Sequence, residues 1–144
     1  IADGIAVRDV TPKLLDIILE YIDEIVEVTD NETANAILFL LEKHKLMVEG
    51  AGAVATAAIM HGKVDIENSK VCAIVSGGNI DVTMLSLIIE KGLVKSNRKM
   101  NLIVTLMDKP GALMLLTEVF TKSSANIVQI DYDRKSVIFN NVIT

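Results

Sequence analysis

The sequence has 144 residues, of which 51% are hydrophobic and 3% are aromatic, and its net charge is −5. This composition argues against a nucleic-acid partner and an anionic membrane, because it offers neither a basic surface nor stacking aromatic side chains. Since no apolar run approaches the roughly 20 residues of a membrane span and one cysteine excludes an intramolecular disulfide, the cytoplasm is the expected location.

Both ends of the sequence lie within apolar segments. The chain opens at Ile1 rather than at a methionine, and it stops abruptly after the alternating residues 136–144. Natural termini are usually polar and frayed. We therefore expect the sequence to be a fragment of a longer chain.

Helical and strand-like segments alternate along the chain, which predicts an α/β fold. Residues 11–22 start with Thr-Pro, a suitable N-cap followed by proline at the first helical position, and continue with apolar residues at helical spacing. The alternating residues 24–28 predict a strand. Asp30 is expected to cap a second helix that extends to His44.

The next elements surround a small-residue segment. Residues 49–53 read E-G-A-G-A and lead into a buried helix over 54–60, which allows close approach of a neighbouring segment and ends at Gly62. The β-branched residues 71–75 predict a buried strand. A helix is then expected from Asp81 to Gly92.

A polar stretch separates this region from the rest of the chain. Strands are predicted over 101–107 and 126–132, with a turn and a helix between them, which together make a β-α-β unit. A further strand is expected over 137–143. The predicted division is a first region over 1–95, a linker over 96–98 and a second region over 99–144.

The loop Ser76-Gly77-Gly78-Asn79 is the first candidate ligand site. It follows a predicted strand and precedes a helix, and ligands of open α/β sheets bind where strands end beside helix N-termini. Its two glycines allow positive φ and close approach to the backbone. The alternative interpretation is a plain strand-to-helix turn.

Other reactive side chains have weaker support. His44 and His61 are not spaced with cysteine or carboxylate ligands, so they are interpreted as helix-end histidines and no metal site is predicted. Cys72 is expected on a buried strand, where a thiol is inert. Glu49 precedes the glycine-rich helix start, and two roles stay open for it, a helix-capping or structural role and a role in a site.

Three segments taken in order resemble a known family. Ala2-Asp3-Gly4-Ile5-Ala6-Val7, Glu49-Gly50-Ala51-Gly52-Ala53 and Ser76-Gly77-Gly78-Asn79-Ile80-Asp81 are similar to the C-terminal part of the threonine dehydratases. These are pyridoxal-phosphate lyases of fold type II, related to serine racemase and serine dehydratase. Residues 99–144 resemble part of a ferredoxin-like ACT regulatory domain through Asp108-Lys109-Pro110-Gly111-Ala112-Leu113.

The resemblance implies a pyridoxal 5'-phosphate cofactor and assigns residues to it. Ser76 matches the serine whose hydroxyl contacts the pyridine nitrogen of the cofactor, Gly77 and Gly4 would line its ring, and Glu49 matches an acidic residue beside it. Asn79 is expected to support the loop. A carboxylate at this position would keep the ring nitrogen protonated and make the ring a full electron sink. With a neutral hydroxyl the ring withdraws fewer electrons, which favours prompt loss of a β-hydroxyl group.

The same resemblance implies that the catalytic Schiff-base lysine lies upstream of these segments, so no catalytic residue is assigned in this chain. The complete enzyme would deaminate L-threonine, and also L-serine, to a 2-oxo acid and ammonia, whereas this chain alone is expected to be inactive. The alternatives are a serine racemase or serine dehydratase and, from another class, a non-enzymatic regulatory and dimerising module that binds an amino acid.

For residues 99–144 the resemblance implies assembly into a homo-oligomer and leaves two roles open, dimerisation alone or dimerisation together with binding of an amino-acid effector. The expected effector residues are Asp108, Gly111, Ala112, Leu113 and Asn126, with backbone N–H groups of the turn facing a carboxylate. Feedback by isoleucine is common in the family, so a branched-chain amino acid is the expected effector.

Overall fold

A computed structural model describes residues 1–133 and divides the chain into two compact units, Ile1–Met100 and Asn101–Thr144. Each unit is built on helices in its described part. The α-helices are α1 Pro12–Tyr21, α2 Asp30–Phe39, α3 Gly50–Met60 and α4 Val82–Lys95 in the first unit and α5 Ala112–Lys122 in the second, with a 3-10 turn at Asp3–Ile5 and a π-helical turn at Leu40–His44. The strand predicted over 137–143 lies outside the described residues.

The core of the first unit forms around α2, which packs against both α3 and α4. Three alanines in this core leave room for α2 and α3 to approach closely, and α3 thereby becomes a fixed support for the segments beside it. The buried residues that form this core cluster are Ala36, Ile37, Leu40, Val48, Ala53, Ala57 and Ile88.

The starts of α1 and α2 follow local capping rules. The predicted start of α1 is confirmed, since Thr11 is the N-cap and proline follows it. For α2 the predicted cap Asp30 is wrong, because Thr29 caps the helix in a capping box. The Thr29 hydroxyl accepts the Glu32 N–H at 3.2 Å and the Glu32 carboxylate accepts the Thr29 N–H at 2.7 Å.

Gly92 does not end α4, contrary to the prediction, since the helix continues to Lys95. A Cβ atom at this position would lie 2.2 Å from Cδ2 of Leu38 on α2. The glycine therefore serves the close packing of α4 on α2 and is not a helix terminator. The end predicted for α3 at Gly62 is confirmed, with φ +62° just beyond the helix.

The predicted strands at 24–28, 71–75, 101–107 and 126–132 do not form, and no residue from 1 to 133 is in a strand. A strand is stable only with a hydrogen-bonded neighbour, and these segments have none within that range. Ile74 is correspondingly 76% exposed, and Cys72, expected to be buried, is an exposed free cysteine. The described residues therefore do not confirm the α/β class or the β-α-β unit.

The polar stretch predicted as a linker is held against the first unit. Arg98 Nη1 lies 2.7 Å from Glu42 Oε1, and the Ser96 hydroxyl donates to the Gly92 carbonyl at 2.8 Å. The division between the compact units falls after Met100. Among the described residues no helix is both long and apolar enough to cross a membrane.

Candidate functional site

The N-terminus of α3 is the meeting point of the three sequence segments singled out above. A Cβ atom at Gly50 would lie 2.2 Å from the Ile1 carbonyl oxygen, and one at Gly52 would lie 1.5 Å from the Ser76 carbonyl oxygen. Only residues without a side chain permit two backbone segments to approach a helix this closely. The close approach predicted for the small-residue segment is confirmed.

Glu49 connects α3 to the loop 76–79 through both its backbone and its side chain. Its N–H donates to the Gly77 carbonyl at 3.2 Å, and its Oε2 accepts the Asn79 N–H at 3.1 Å. Glu49 is the N-cap residue of α3, but its side chain makes no capping hydrogen bond to that helix. Its hydrogen bonds to the loop are compatible with a structural role and with a role in a site. The half-buried carboxylate also lies near Gly4, where a Cβ atom would be 3.7 Å from Oε1.

The loop presents free polar groups to the exterior. Ser76 and Asn79 are exposed, and within residues 1–133 neither side chain has a hydrogen-bond partner. Gly77 has φ +69°, and Asp81 fixes the far end of the loop because its side chain accepts the Met84 N–H at 3.0 Å and caps α4. The arrangement holds the backbone in place while leaving the Ser76 hydroxyl available to a ligand.

An ion pair connects α2 to the segment that follows α3. Lys63 Nζ lies 3.0 Å from Glu32 Oε1. The backbone hydrogen bond from Thr29, and after it the hydrogen bond from Lys63, lowers the pKa of Glu32 from 4.5 to about 2. This carboxylate therefore stays charged to low pH, and its role is structural because it caps α2.

The remaining reactive side chains do not form a second site in the first unit. His61 is the C-cap of α3, and His44 ends the π-helical turn with its ring against Phe39 at a centroid distance of 5.2 Å. In the described part of the chain no three His, Cys, Asp or Glu residues are grouped as a metal ion would require.

In the second unit an open cavity of about 350 Å³ lies at the turn before α5. Gly111 has φ +86° and precedes the helix. The cavity brings together four of the five predicted effector residues, whereas Asn126 is not part of its lining. Sequence reasoning missed Leu106 and Tyr132, which carry no motif. The lining residues are Leu106, Asp108, Lys109, Pro110, Gly111, Ala112, Leu113 and Tyr132.

Comparison with known proteins gives a family match over the first two of the three sequence segments and the start of the third. The family model described as "Pyridoxal-phosphate dependent enzyme" matches residues 1–77. The chain is 45% identical over 136 residues to an L-threonine ammonia-lyase of Thermotoga maritima and likewise 45% identical over 136 residues to one of Geobacter sulfurreducens. It is 42% identical over 96 residues to the L-threonine dehydratase catabolic TdcB of Staphylococcus aureus.

The coverage of these relatives is uneven. The matches to the first two cover 94% of this chain but 34% of each relative. The match to the third covers 65% of this chain and 28% of the relative. The chain thus spans about a third of the length of the curated relatives it matches.

Proposed function

Because the chain belongs to the family of pyridoxal-phosphate dependent enzymes, we propose that it forms the C-terminal part of a threonine ammonia-lyase. The complete enzyme deaminates L-threonine, and also L-serine, to a 2-oxo acid and ammonia. The observation that carries this proposal is the convergence of the Gly4 turn, Glu49 and the Ser76 loop at the N-terminus of α3. The identity to two L-threonine ammonia-lyases supports the choice of substrate.

The residues at this convergence fit one edge of a flat, heteroaromatic cofactor. The Ser76 hydroxyl is exposed on the open side of the loop and has no partner in the described residues, so it could meet a ring atom. Pyridoxal phosphate, when bound, supplies an electron sink for charge that develops at the substrate α-carbon. In this chain Ser76, Gly77 and Gly4 would lie beside the ring, and Glu49 and Asn79 would hold the loop that carries Ser76.

Ser76 would influence the protonation of the ring nitrogen if the cofactor bound here. A hydroxyl can donate its proton to an unprotonated nitrogen, whereas a carboxylate at this position would hold a proton on that nitrogen. Glu49 holds the loop backbone at Gly77 and Asn79, so the hydroxyl would be presented to the nitrogen from a fixed position. This arrangement suits elimination of a β-hydroxyl group, the reaction that threonine and serine undergo.

For the second unit we propose a regulatory role of the ACT type, with a branched-chain amino acid as effector and a homo-oligomeric cytoplasmic enzyme as its setting. The support is the cavity at the turn 108–113, whose volume of about 350 Å³ can accommodate an amino acid. Backbone N–H groups at the start of α5 suit its carboxylate. In this proposal the catalytic part spans residues 1–95, the linker spans 96–98 and the regulatory domain spans 99–144.

The test uses the complete enzyme and this chain in parallel. The complete enzyme with pyridoxal phosphate is expected to release 2-oxobutanoate from L-threonine and pyruvate from L-serine, while the 144-residue chain is expected to release neither. Formation of D-serine without keto acid would identify a racemase instead. Failure of the complete protein to bind the cofactor, together with heat on binding isoleucine, would favour the non-enzymatic regulatory module.

A further inference from the structure

Glu49 and the loop 76–79 are joined by a reciprocal pair of hydrogen bonds. The Glu49 N–H donates to the carbonyl of Gly77, and the Glu49 carboxylate accepts the N–H of Asn79. The two bonds hold residues on either side of Gly78, so they fix the orientation of the peptide groups between them. Since these residues are 30 positions apart in sequence, the contact belongs to the tertiary structure.

The same carboxylate fills the space that a side chain at Gly77 would need. A Cβ atom at Gly77 would lie 2.3 Å from Glu49 Oε1, and one at Gly78 would lie 3.0 Å from the Met47 carbonyl oxygen. The inner side of the loop is therefore closed by residues 47 and 49. Its outer side, where the Ser76 hydroxyl is exposed, is open.

We propose that Glu49 is a positioning residue, which acts on the cofactor through the backbone of the 76–79 loop and not by touching the cofactor itself. Both oxygens of its carboxylate are directed at the loop, Oε2 to the Asn79 N–H and Oε1 to the space beside Gly77. The inference deepens the proposed function and depends on it for the identity of the ligand. Its structural part, the Glu49-dependent order of the loop, exists without any cofactor.

The experiment compares Glu49→Ala with Glu49→Gln in the complete protein, with Asp65→Ala as the control. Glutamine keeps an oxygen that can accept the Asn79 N–H but removes the charge. Asp65 is an exposed carboxylate that accepts the Glu67 N–H at 3.0 Å, away from the three segments. Amide hydrogen exchange of residues 77–79 is measured without cofactor, and cofactor affinity and absorption maximum are measured with it.

In Glu49→Ala, we expect exchange at Asn79 to be at least about tenfold faster and cofactor affinity to be about tenfold lower, since a hydrogen bond to a charged acceptor is lost. Glu49→Gln is expected to restore most of the exchange protection at Asn79 and most of the cofactor affinity. The absorption maximum of the bound cofactor is expected to stay unchanged. Asp65→Ala is expected to match the original protein in every measurement.

The opposite pattern would overturn the proposal. If Glu49 acts on the cofactor by its charge, Glu49→Gln will shift the absorption maximum and lower affinity as much as Glu49→Ala. If exchange at Asn79 is the same in Glu49→Ala as in the original protein, the loop does not depend on Glu49. Failure of the proposed function gives a different result, because the original protein would then bind no pyridoxal phosphate while the exchange difference persisted.

Discussion

The carbonyl oxygen of Ser76 lies against the helix backbone at Gly52, where a Cβ atom would be 1.5 Å from it. The ligand loop is therefore in direct backbone contact with α3. This contact places the exposed Ser76 hydroxyl relative to a helix anchored in the core of the first unit, because Ala53 and Ala57 of α3 belong to that core. A change at Gly52 should consequently reach the loop directly.

Gly52→Ala is predicted to displace the loop and to destabilise the first unit by about 1–3 kcal/mol, the usual effect of an added methyl group in a filled space. The gain in helix propensity of about 1 kcal/mol from glycine to alanine does not offset a clash with backbone atoms. Amide hydrogen exchange in α3 and the loop measures the effect.

Gly92→Ala is the matched control for this prediction. It also adds a methyl group to a helical glycine, but the nearest atom is Cδ2 of Leu38, at 2.2 Å, the end of a flexible side chain. Leu38 is half-buried and can rotate, so the gain in helix propensity should leave stability within about 1 kcal/mol of the original. Equal effects of the two substitutions would contradict the backbone contact at Ser76.

Ser76→Ala is predicted to lower cofactor affinity by about 0.5–1.5 kcal/mol, the net contribution of one hydrogen bond, without loss of stability. The hydroxyl has no hydrogen-bond partner among residues 1–133, so its removal leaves no protein group unsatisfied. Fluorescence titration of the complete enzyme with pyridoxal phosphate measures the affinity. Ser69→Ala, in an exposed loop, is the control, and unchanged affinity and turnover in Ser76→Ala would indicate a turn residue.

The helices could be predicted from the sequence because their signals are local. The Thr11-Pro12 start, Gly62 at the end of α3 and Asp81 before α4 all act within one helical turn. The Thr29–Glu32 capping box also has a local signal, Thr followed three residues later by Glu, although the neighbouring Asp30 is an equally suitable N-cap residue type. Each of these signals needs no distant partner.

The predictions that were wrong concern features that depend on residues far apart in the sequence. Gly92 resembles a terminator until Leu38 is known to pack on it. Residues 71–75 have the composition of a strand, yet a strand also requires a pairing partner. The three site motifs could be recognised as an ordered set, but the Glu49 hydrogen bond to Asn79 and the cavity contribution of Tyr132 follow only from the folded chain.

The pKa of Glu32 predicts how the start of α2 responds to acid. Because the pKa is lowered from 4.5 to about 2 in the folded protein, the contribution of this carboxylate is fully present above pH 4.5 and is lost as the pH falls towards 2. Carbon-detected NMR titration of the Glu32 carboxyl should show the low value. Amide exchange in the first turn of α2 should accelerate over the same pH range.

Lys63→Met separates the two causes of this pKa. It removes the ion pair at 3.0 Å but leaves the Thr29 N–H, whose hydrogen bond is the largest cause of the lowered value. The pKa should therefore rise only part of the way towards 4.5. A complete return to the ordinary value would show that the capping box contributes nothing to it.

The cavity beside α5 predicts which residues an amino-acid effector would contact. Tyr132 lines it and Asn126 does not, so Tyr132→Ala should weaken binding by about tenfold or more through lost contact area, while Asn126→Ala should change it by less than about twofold. Calorimetry on the complete enzyme with isoleucine, valine and threonine measures both. If Asn126→Ala weakens binding more than Tyr132→Ala does, the effector lies beside Asn126, as the resemblance to ACT domains implies. Absence of heat with all three amino acids would contradict effector binding and leave assembly as the role proposed for the second unit.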